Sequence, residues 1–118
     1  MKIYHITQQK GWDRAKEIGD YVPESLKVEG FIHCSTQKQV LATANRRFLG
    51  KKDLLLLVIN PKNVSSKIIF EDLRGLGEKH PHIYGKLPVS AIEATMYLLP
   101  DKDGQFIKLP ASLLDHEK

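Results

Sequence analysis

Short apolar runs separated by polar turns predict a chain built mostly of short strands. Lys2 to Thr7 is apolar or aromatic on both alternating sets of positions, as in a strand that is covered on both faces. Leu54 to Ile59 is a continuous aliphatic run and predicts a central strand. Four further strands and a final hairpin partner are predicted at Phe31 to Cys34, Lys67 to Glu71, His82 to Gly85, Ile92 to Leu99 and Phe106 to Leu109.

Two stretches with apolar residues at helical spacing interrupt these strands. The first runs from Gln9 to Ile18, and Gly19 is expected to end it. The second opens at Thr36 to Gln39, which has the spacing of a capping box, and is expected to continue to about Leu49. The order of strand, helix, strand, helix and then mostly strands predicts an α+β fold, with two main helices on a mixed or antiparallel sheet.

The length of 118 residues corresponds to one ordinary domain. Hydrophobic residues make up 42% of the chain and charged residues 27%, a balance typical of a globular protein and not of a disordered one. We expect a single domain over 1–118, with an ordered core at about 2–109 and a loosely held tail at 110–118. Cys34 is the only cysteine, so no internal disulfide can form, which fits a reducing compartment.

Hydropathy and charge restrict the partners of the chain. Leu54 to Ile59 is the longest apolar run and is far too short to cross a bilayer, and the N-terminus turns polar too early for a signal peptide. We therefore expect a cytoplasmic protein without a membrane partner. The net charge of +4 mildly favours an anionic partner such as a phosphate or RNA. The basic pairs at 46–47 and 51–52 nevertheless indicate a solvated helix end, which disfavours nucleic acid as the partner.

Two histidines within predicted strands are the first candidates for chemistry. A strand-borne histidine must bond both ring nitrogens inside the protein or face a cavity, and His5 and His33 are both of this kind. Each is followed two residues later, on the same face, by a hydroxyl residue, Thr7 or Ser35. We expect His5, His33 and Ser35 to open onto one cavity, with satisfied core histidines as the alternative. Cys34 points the other way and is expected to be buried and unreactive.

A second polar and aromatic group lies near residues 80–85. His82 and Tyr84 would share a strand face and line the same pocket, whereas His80 is expected in solvent. Glu71 ends a predicted strand, where its carboxylate could act as a base or bind a ribose; an exposed edge charge is the alternative. Gly75 and Gly77 form a lone G-x-G pair, and no phosphate-loop or H-E-x-x-H motif occurs, so we expect no metal.

Four segments that occur in order resemble the bacterial family called domain of unknown function 952. The segments are IYHIT at 3–7, GFIHCS at 30–35, Ala44-Asn45 with Phe48, and PHIYG at 81–85. The resemblance extends from Ile3 to about Leu98. It implies an ADP-ribosyltransferase-like fold, a split mixed or antiparallel sheet that holds NAD in a cleft, similar also to the RNA 2′-phosphotransferases of that superfamily.

The resemblance also implies roles for residues of this chain. The phosphotransferases carry a histidine on the first strand, which His5 matches, and an H-x-H-x-S segment, whose end His33 and Ser35 match. Phe31 and Tyr4 stand where those enzymes carry a histidine and an arginine.

The ADP-ribosyltransferases themselves carry a histidine, then a tyrosine or serine, and then a glutamate. His5 and Ser35 match the first two positions, and Glu71 or Tyr84 the third.

Two functional interpretations follow from the resemblance and stay open. The first is a transferase or glycohydrolase that cleaves the nicotinamide–ribose bond of NAD, its substrate, or that acts on an ADP-ribosylated or 2′-phosphorylated substrate. Its catalytic residues would be His5 on a ribose hydroxyl, Ser35 on the nicotinamide amide, Glu71 on the cationic sugar, and His33. Its other substrate contacts would be Thr7, His82 and Tyr84. The second interpretation is a non-catalytic module that binds a nucleotide or small metabolite in the same cleft.

Overall fold

The computed structural model of the chain describes residues 1–116, and their side chains as far as residue 113. Within this range the α-helices are α1 at Gln9–Ile18, α2 at Glu24–Glu29 and α3 at Val40–Arg47. The strands are β1 at Ile3–Gln8, β2 at Asp20–Tyr21, β3 at Ile32–His33, β4 at Leu54–Ile59, β5 at Lys67–Glu71, β6 at His80–Tyr84, β7 at Leu87–Pro88 and β8 at Ile92–Tyr97. Short 3-10 helices occupy Gln37–Gln39, Pro61–Asn63, Val89–Ala91 and Ala111–His116. Across the described residues, no helix has the length and apolar character needed to span a bilayer.

Local sequence signals set the helix ends. α1 is followed by Gly19 and α2 by Gly30, and both glycines take the left-handed conformation, with φ of 95° and 87°. Glycine adopts this conformation without the steric penalty that a Cβ atom brings. The predicted capping box of Thr36 and Gln39 is confirmed, because each side chain bonds the backbone of the other residue. It opens a short 3-10 turn that leads directly into α3.

The strands form three antiparallel sheets, with the orders β1-β4-β8, β2-β7 and β3-β6-β5. The predicted central strand, β4, lies in the middle of the first sheet with all six residues buried. The α+β class is therefore confirmed, and each strand pair is antiparallel. The short β2-β7 ribbon and its strand at Leu87–Pro88 were not predicted, because two-residue strands leave no period in the sequence.

The first sheet lies between two apolar clusters. The cluster on one face joins the sheet to α3 and the C-terminal segment, and includes Tyr4, Val40, Leu56, Phe106 and Leu113. The cluster on the other face joins the sheet to β3 and β6, and includes Ile3, Ile32, Cys34, Leu57 and Ile83. This packing on both faces is why β1 and β4 are apolar at nearly every position.

The segment after β8 does not form the predicted hairpin. β8 pairs with β4, and residues 106–109 are not in a strand. The Asn45 side chain instead bonds the backbone N–H and C=O of Phe106, at 2.8 and 2.9 Å, and the Phe106 ring is buried in the core. The hairpin prediction was therefore wrong. A short apolar run after a turn has the same sequence pattern whether it forms a strand or an irregular segment with one side chain buried in the core.

The chain also stays packed beyond the predicted end of the core at residue 109. Leu113, on the 3-10 helix Ala111–His116, is 1% exposed and belongs to the same apolar cluster as Phe106. Burial anchors the Leu113 side chain, while the single domain and the loose tail expected over 110–118 stay predictions. Residues 117–118 of that predicted tail lie outside the described residues.

Candidate functional site

A cavity of about 720 Å³ lies where β1, β3 and α3 meet the loop after β5. This volume is in the range of small-molecule sites. Six residues singled out from the sequence line it, namely His5, Thr7, His33, Ser35, Glu71 and His82. The prediction that His5, His33 and Ser35 share one cavity is confirmed, whereas the catalytic roles of these residues stay predictions.

His5 is held by a chain of hydrogen bonds inside the wall of the cavity. Its Nδ1 bonds the backbone carbonyl of His33, and its Nε2 lies 2.8 Å from the hydroxyl of Tyr21. That hydroxyl is also 2.9 Å from Oγ1 of Thr7. Because a carbonyl can only accept, Nδ1 of His5 carries the proton. Both ring nitrogens of His5 are thus bonded within the protein.

Burial keeps His5 neutral. It lowers the pKa of His5 from 6.5 to about 4, although the bond to the His33 carbonyl opposes this shift. Burial also raises the pKa of Tyr21 to about 12, so the hydroxyl beside His5 stays protonated. The His5, Tyr21 and Thr7 network is therefore uncharged at neutral pH, which suits a rigid wall and not a charged catalytic group.

Glu71, on the third sheet, is the centre of a second hydrogen-bond network, and this one is charged. Its Oε2 accepts hydrogen bonds from Nδ1 of His82, at 2.8 Å, and from the hydroxyl of Tyr84. The hydrogen bond from Tyr84, and then the one from His82, lower the pKa of Glu71. The bond between Tyr84 and Glu71 also raises the pKa of Tyr84. Oε1 of Glu71 has no hydrogen-bond partner among the described residues. The result is an ionised carboxylate with one oxygen fixed and one available to a ligand.

Aromatic rings hold this network in place. Phe31 stacks on His82, with ring centroids 4.3 Å apart, and also contacts His33 and Tyr84. His33 pairs with His82 across the β3-β6 ladder, and its Nε2 is 2.8 Å from Oε1 of Glu29. Burial lowers the pKa of His33, and the Glu29 bond works against that shift. The rings of this face therefore have few alternative positions.

Ser35 links the two large sheets at the cavity. Its backbone bonds Tyr4 of β1 in both directions, and its hydroxyl lies 3.1 Å from Oγ1 of Thr43 on α3. Cys34, the neighbour on the opposite face, is 3% exposed, and burial raises the pKa of its thiol. Burial of Cys34 is confirmed, and its low reactivity stays a prediction.

Two residues lie elsewhere than the sequence indicated. Tyr84 was expected to line the cavity with His82, but its hydroxyl bonds Oε2 of Glu71 and it is not among the lining residues. His80 was expected in solvent, but it belongs to β6, pairs with Glu71 in register and lines the cavity. β6 begins two residues earlier than predicted because Pro81 occupies a strand position without needing to donate a ladder bond.

Three arginines in the cavity wall were missed as functional candidates. The sequence indicated a solvated helix end for Arg46 and Arg47 and gave no role to Arg74, yet all three line the cavity. Arg47 lies four residues after Thr43 on α3, so the two share the helix face that meets the cavity. Thr43 itself carries no functional signal in the sequence, so this spacing becomes informative only in the structure.

Comparisons with known proteins agree with this fold. A family model described as "Protein of unknown function (DUF952)" matches residues 6–95. The crystal structure of protein CC0527 from Caulobacter crescentus is 32% identical, with a TM-score of 0.82 over 98% of this chain and 97% of that chain. The solution NMR structure of CC0527 is 33% identical, with a TM-score of 0.78 over 98% and 95% of the two chains. No curated protein matches the chain.

Proposed function

The chain belongs to the DUF952 family, and from that premise we propose that its cavity binds an NAD-derived or related phosphorylated nucleotide and acts at the ribose. The proposal combines the resemblance to ADP-ribosyltransferases with one observation that carries it. Glu71 presents an ionised carboxylate to a cavity of nucleotide size, with Oε2 fixed by His82 and Tyr84 and with Oε1 available. A fixed negative charge of this kind stabilises positive charge that develops on a bound substrate.

The proposed reaction breaks the bond between C1′ of the ribose and the nicotinamide nitrogen. The nicotinamide leaves with the bonding electron pair and becomes neutral, and the ribose becomes an oxocarbenium cation beside Glu71. A water or an acceptor hydroxyl then bonds to C1′ and releases its proton. The reaction is a glycohydrolysis with water and a transfer with an acceptor.

The other residues take supporting roles in this proposal. Both ring nitrogens of His5 are bonded within the protein, so we assign His5 to positioning the His33 backbone and Tyr21. His33 is better suited to a ribose hydroxyl, because no described residue bonds its Nδ1. Ser35 remains suited to the nicotinamide amide, since a hydroxyl can both donate and accept.

A non-catalytic nucleotide-binding module is the second candidate, and the neutral, fully bonded His5 favours it. The test begins with thermal melts in millimolar NAD, ADP-ribose or a 2′-phosphorylated dinucleotide. A ligand at a hundredfold excess over its Kd stabilises the fold by about 2.7 kcal/mol. If no ligand moves the wild-type transition, the nucleotide proposal is wrong.

Nicotinamide release then separates the two candidates. The enzyme requires measurable release that Glu71→Gln abolishes while the ligand still shifts the melting transition. Glu17→Gln removes the same charge from an exposed position on α1 outside the cavity, and is expected to leave release unchanged. Binding without any release identifies the binding module.

A further inference from the structure

We propose that Arg47 and Arg74 form an anion subsite in the cavity that holds a phosphoryl group of the ligand. Arg47 is the last residue of α3, and Arg74 lies in the loop between β5 and β6. Residues this far apart in the chain reach the same cavity only through the fold. The subsite deepens the proposed function and rests on it as far as the phosphoryl group belongs to a nucleotide.

The cavity arginines have no carboxylate partner in the part of the chain that the structure describes. Among the described residues, neither these two arginines nor their neighbour Arg46 makes an ion pair. Glu29, which attracts Arg47 electrostatically, bonds His33 at 2.8 Å. A guanidinium without a partner in a cavity wall is available to a ligand.

Arg74 lies in a loop that hydrogen bonds to Asp72 stabilise. The carboxylate of Asp72 accepts hydrogen bonds from the backbone N–H groups of Leu76 and Gly77, at 2.9 and 2.8 Å. Both of its oxygens are therefore used to shape the loop and not to neutralise Arg74. Gly75 and Gly77 take positive φ, at 67° and 87°, which lets the loop turn sharply around that carboxylate. The position of Arg74 is thus set by backbone contacts.

Both guanidinium groups line one cavity, where like charges repel one another. Burial and then the charge of Arg74 lower the pKa of Arg47. The negative end of α3 explains a preference for Arg46 and Arg47 at that helix end. It does not explain Arg74. A bound dianion removes the repulsion, and the planar guanidinium fork matches the oxygens of a phosphate.

The experiment measures binding of ADP-ribose, inorganic pyrophosphate and adenosine by calorimetry at two salt concentrations. We expect Arg47→Gln and Arg74→Gln each to weaken ADP-ribose binding about tenfold or more, because each removes charge-assisted bonds. Added salt is expected to weaken binding to the wild type more than binding to either variant. Arg14→Gln is the matched control, since Arg14 is exposed on α1 and does not line this cavity. Arg47→Lys, which keeps the charge but loses the fork, is expected to recover only part of the affinity.

The outcomes separate the subsite from the proposed function. Pyrophosphate binding that depends on both arginines, without any nucleotide binding, supports the subsite and contradicts the nucleotide. ADP-ribose binding that is equal in the wild type, both glutamine variants and Arg14→Gln overturns the subsite and leaves the nucleotide proposal in place. Absence of binding by both anions overturns both ideas. Circular dichroism melts of each variant show that it is folded before it is assayed.

Discussion

Two polar networks lie on the two large sheets, and they differ in how completely the protein satisfies them. On the first sheet, the ring of His5 bonds the His33 carbonyl and Tyr21, and the network is uncharged. On the third sheet, His82 and Tyr84 bond a single oxygen of Glu71 and leave the other oxygen available. Both histidines are nearly buried, at 8% and 5% exposure for His5 and His82.

This difference distinguishes polar groups that stabilise the fold from polar groups that are able to bind a ligand. A buried polar group without a partner costs stability, so a closed network is what a fold requires wherever a histidine enters the core. A network that ends in an ionised carboxylate at a cavity has an unmet interaction that a ligand can supply. We therefore expect changes at His5 to act on stability and changes at Glu71 to act on ligands. The four predictions below test this division, in order of their expected effect on the free energy of unfolding.

Replacing His5 with alanine is expected to have the largest effect. His5→Ala removes the side-chain donor of the His33 carbonyl, leaves the Tyr21 hydroxyl with Thr7 as its remaining partner, and opens a cavity beside β4. Together these losses lower the free energy of unfolding by about 3 kcal/mol. His5→Asn is expected to recover part of this loss, because its amide N–H can still reach the carbonyl. Urea unfolding measures both, with the partly exposed His80→Ala as the control. If His5→Ala costs no more than His80→Ala, the network does not support the fold.

Acid is expected to destabilise the protein through the same histidine. The folded-state pKa of His5, about 4, lies below its ordinary value of 6.5, so the unfolded chain binds the proton more tightly. The contribution of His5 is fully present above pH 6.5 and is lost as pH falls towards 4, by on the order of 3 kcal/mol. Urea midpoints between pH 7 and 4.5 measure the slope above the range where carboxylates titrate. A slope that is just as steep in His5→Asn would falsify this assignment.

Replacing Glu71 with glutamine is expected to leave the fold nearly unchanged and to abolish the proposed nicotinamide release. The amide oxygen of Glu71→Gln can still accept from His82 and Tyr84, while the negative charge that faces the cavity is lost. Because the bonded carboxylate also contributes some stability at neutral pH, the melting temperature of the free protein is expected to lie only slightly below that of Glu17→Gln. A large drop in the melting temperature would place Glu71 with His5 as a structural residue and would break the comparison.

The parts of this molecule that sequence reasoning could predict are those with local causes. The aliphatic run of β4, the glycines that end α1 and α2, and the capping box before α3 each carry their signal within a few residues. The alternation of side chains along strands also placed His5, Thr7, His33 and Ser35 on cavity-facing positions.

The parts that escaped prediction depend on contacts between distant segments. The hydroxyl of Tyr21 on β2 reaches His5 on β1 although the whole of α1 separates the two residues in the chain. The Glu71 network depends on the β5-β6 register, which places Ile69 opposite His82 and Glu71 opposite His80. Arg74 lies in the loop between β5 and β6, and the composition of that loop does not indicate which way its side chains point. Strand register and loop position are set by the whole fold, so a local pattern cannot supply them.

Replacing Tyr84 with phenylalanine is expected to have the smallest effect on stability and the clearest effect on electrostatics. The Tyr84 hydroxyl is the main cause of the lowered pKa of Glu71, and His82 is the second. Tyr84→Phe should therefore raise the pKa of Glu71 towards its ordinary value of 4.5 without reaching it, because the His82 bond remains. The carboxyl carbon of Glu71, followed by NMR during an acid titration, reports this pKa directly.

The sign of the stability change follows from the same shift. A carboxylate with a lowered folded-state pKa stabilises the fold above its ordinary pKa, and this contribution is lost as pH falls through the folded-state value. Tyr84→Phe is thus expected to destabilise the protein slightly at neutral pH and less in acid, where Glu71 is protonated in both proteins. Tyr97→Phe on the exposed face of β8 removes a hydroxyl far from this network and should change neither quantity. An unchanged Glu71 titration in Tyr84→Phe would mean that another group holds the carboxylate, and that the open network on the third sheet is built differently from the one described.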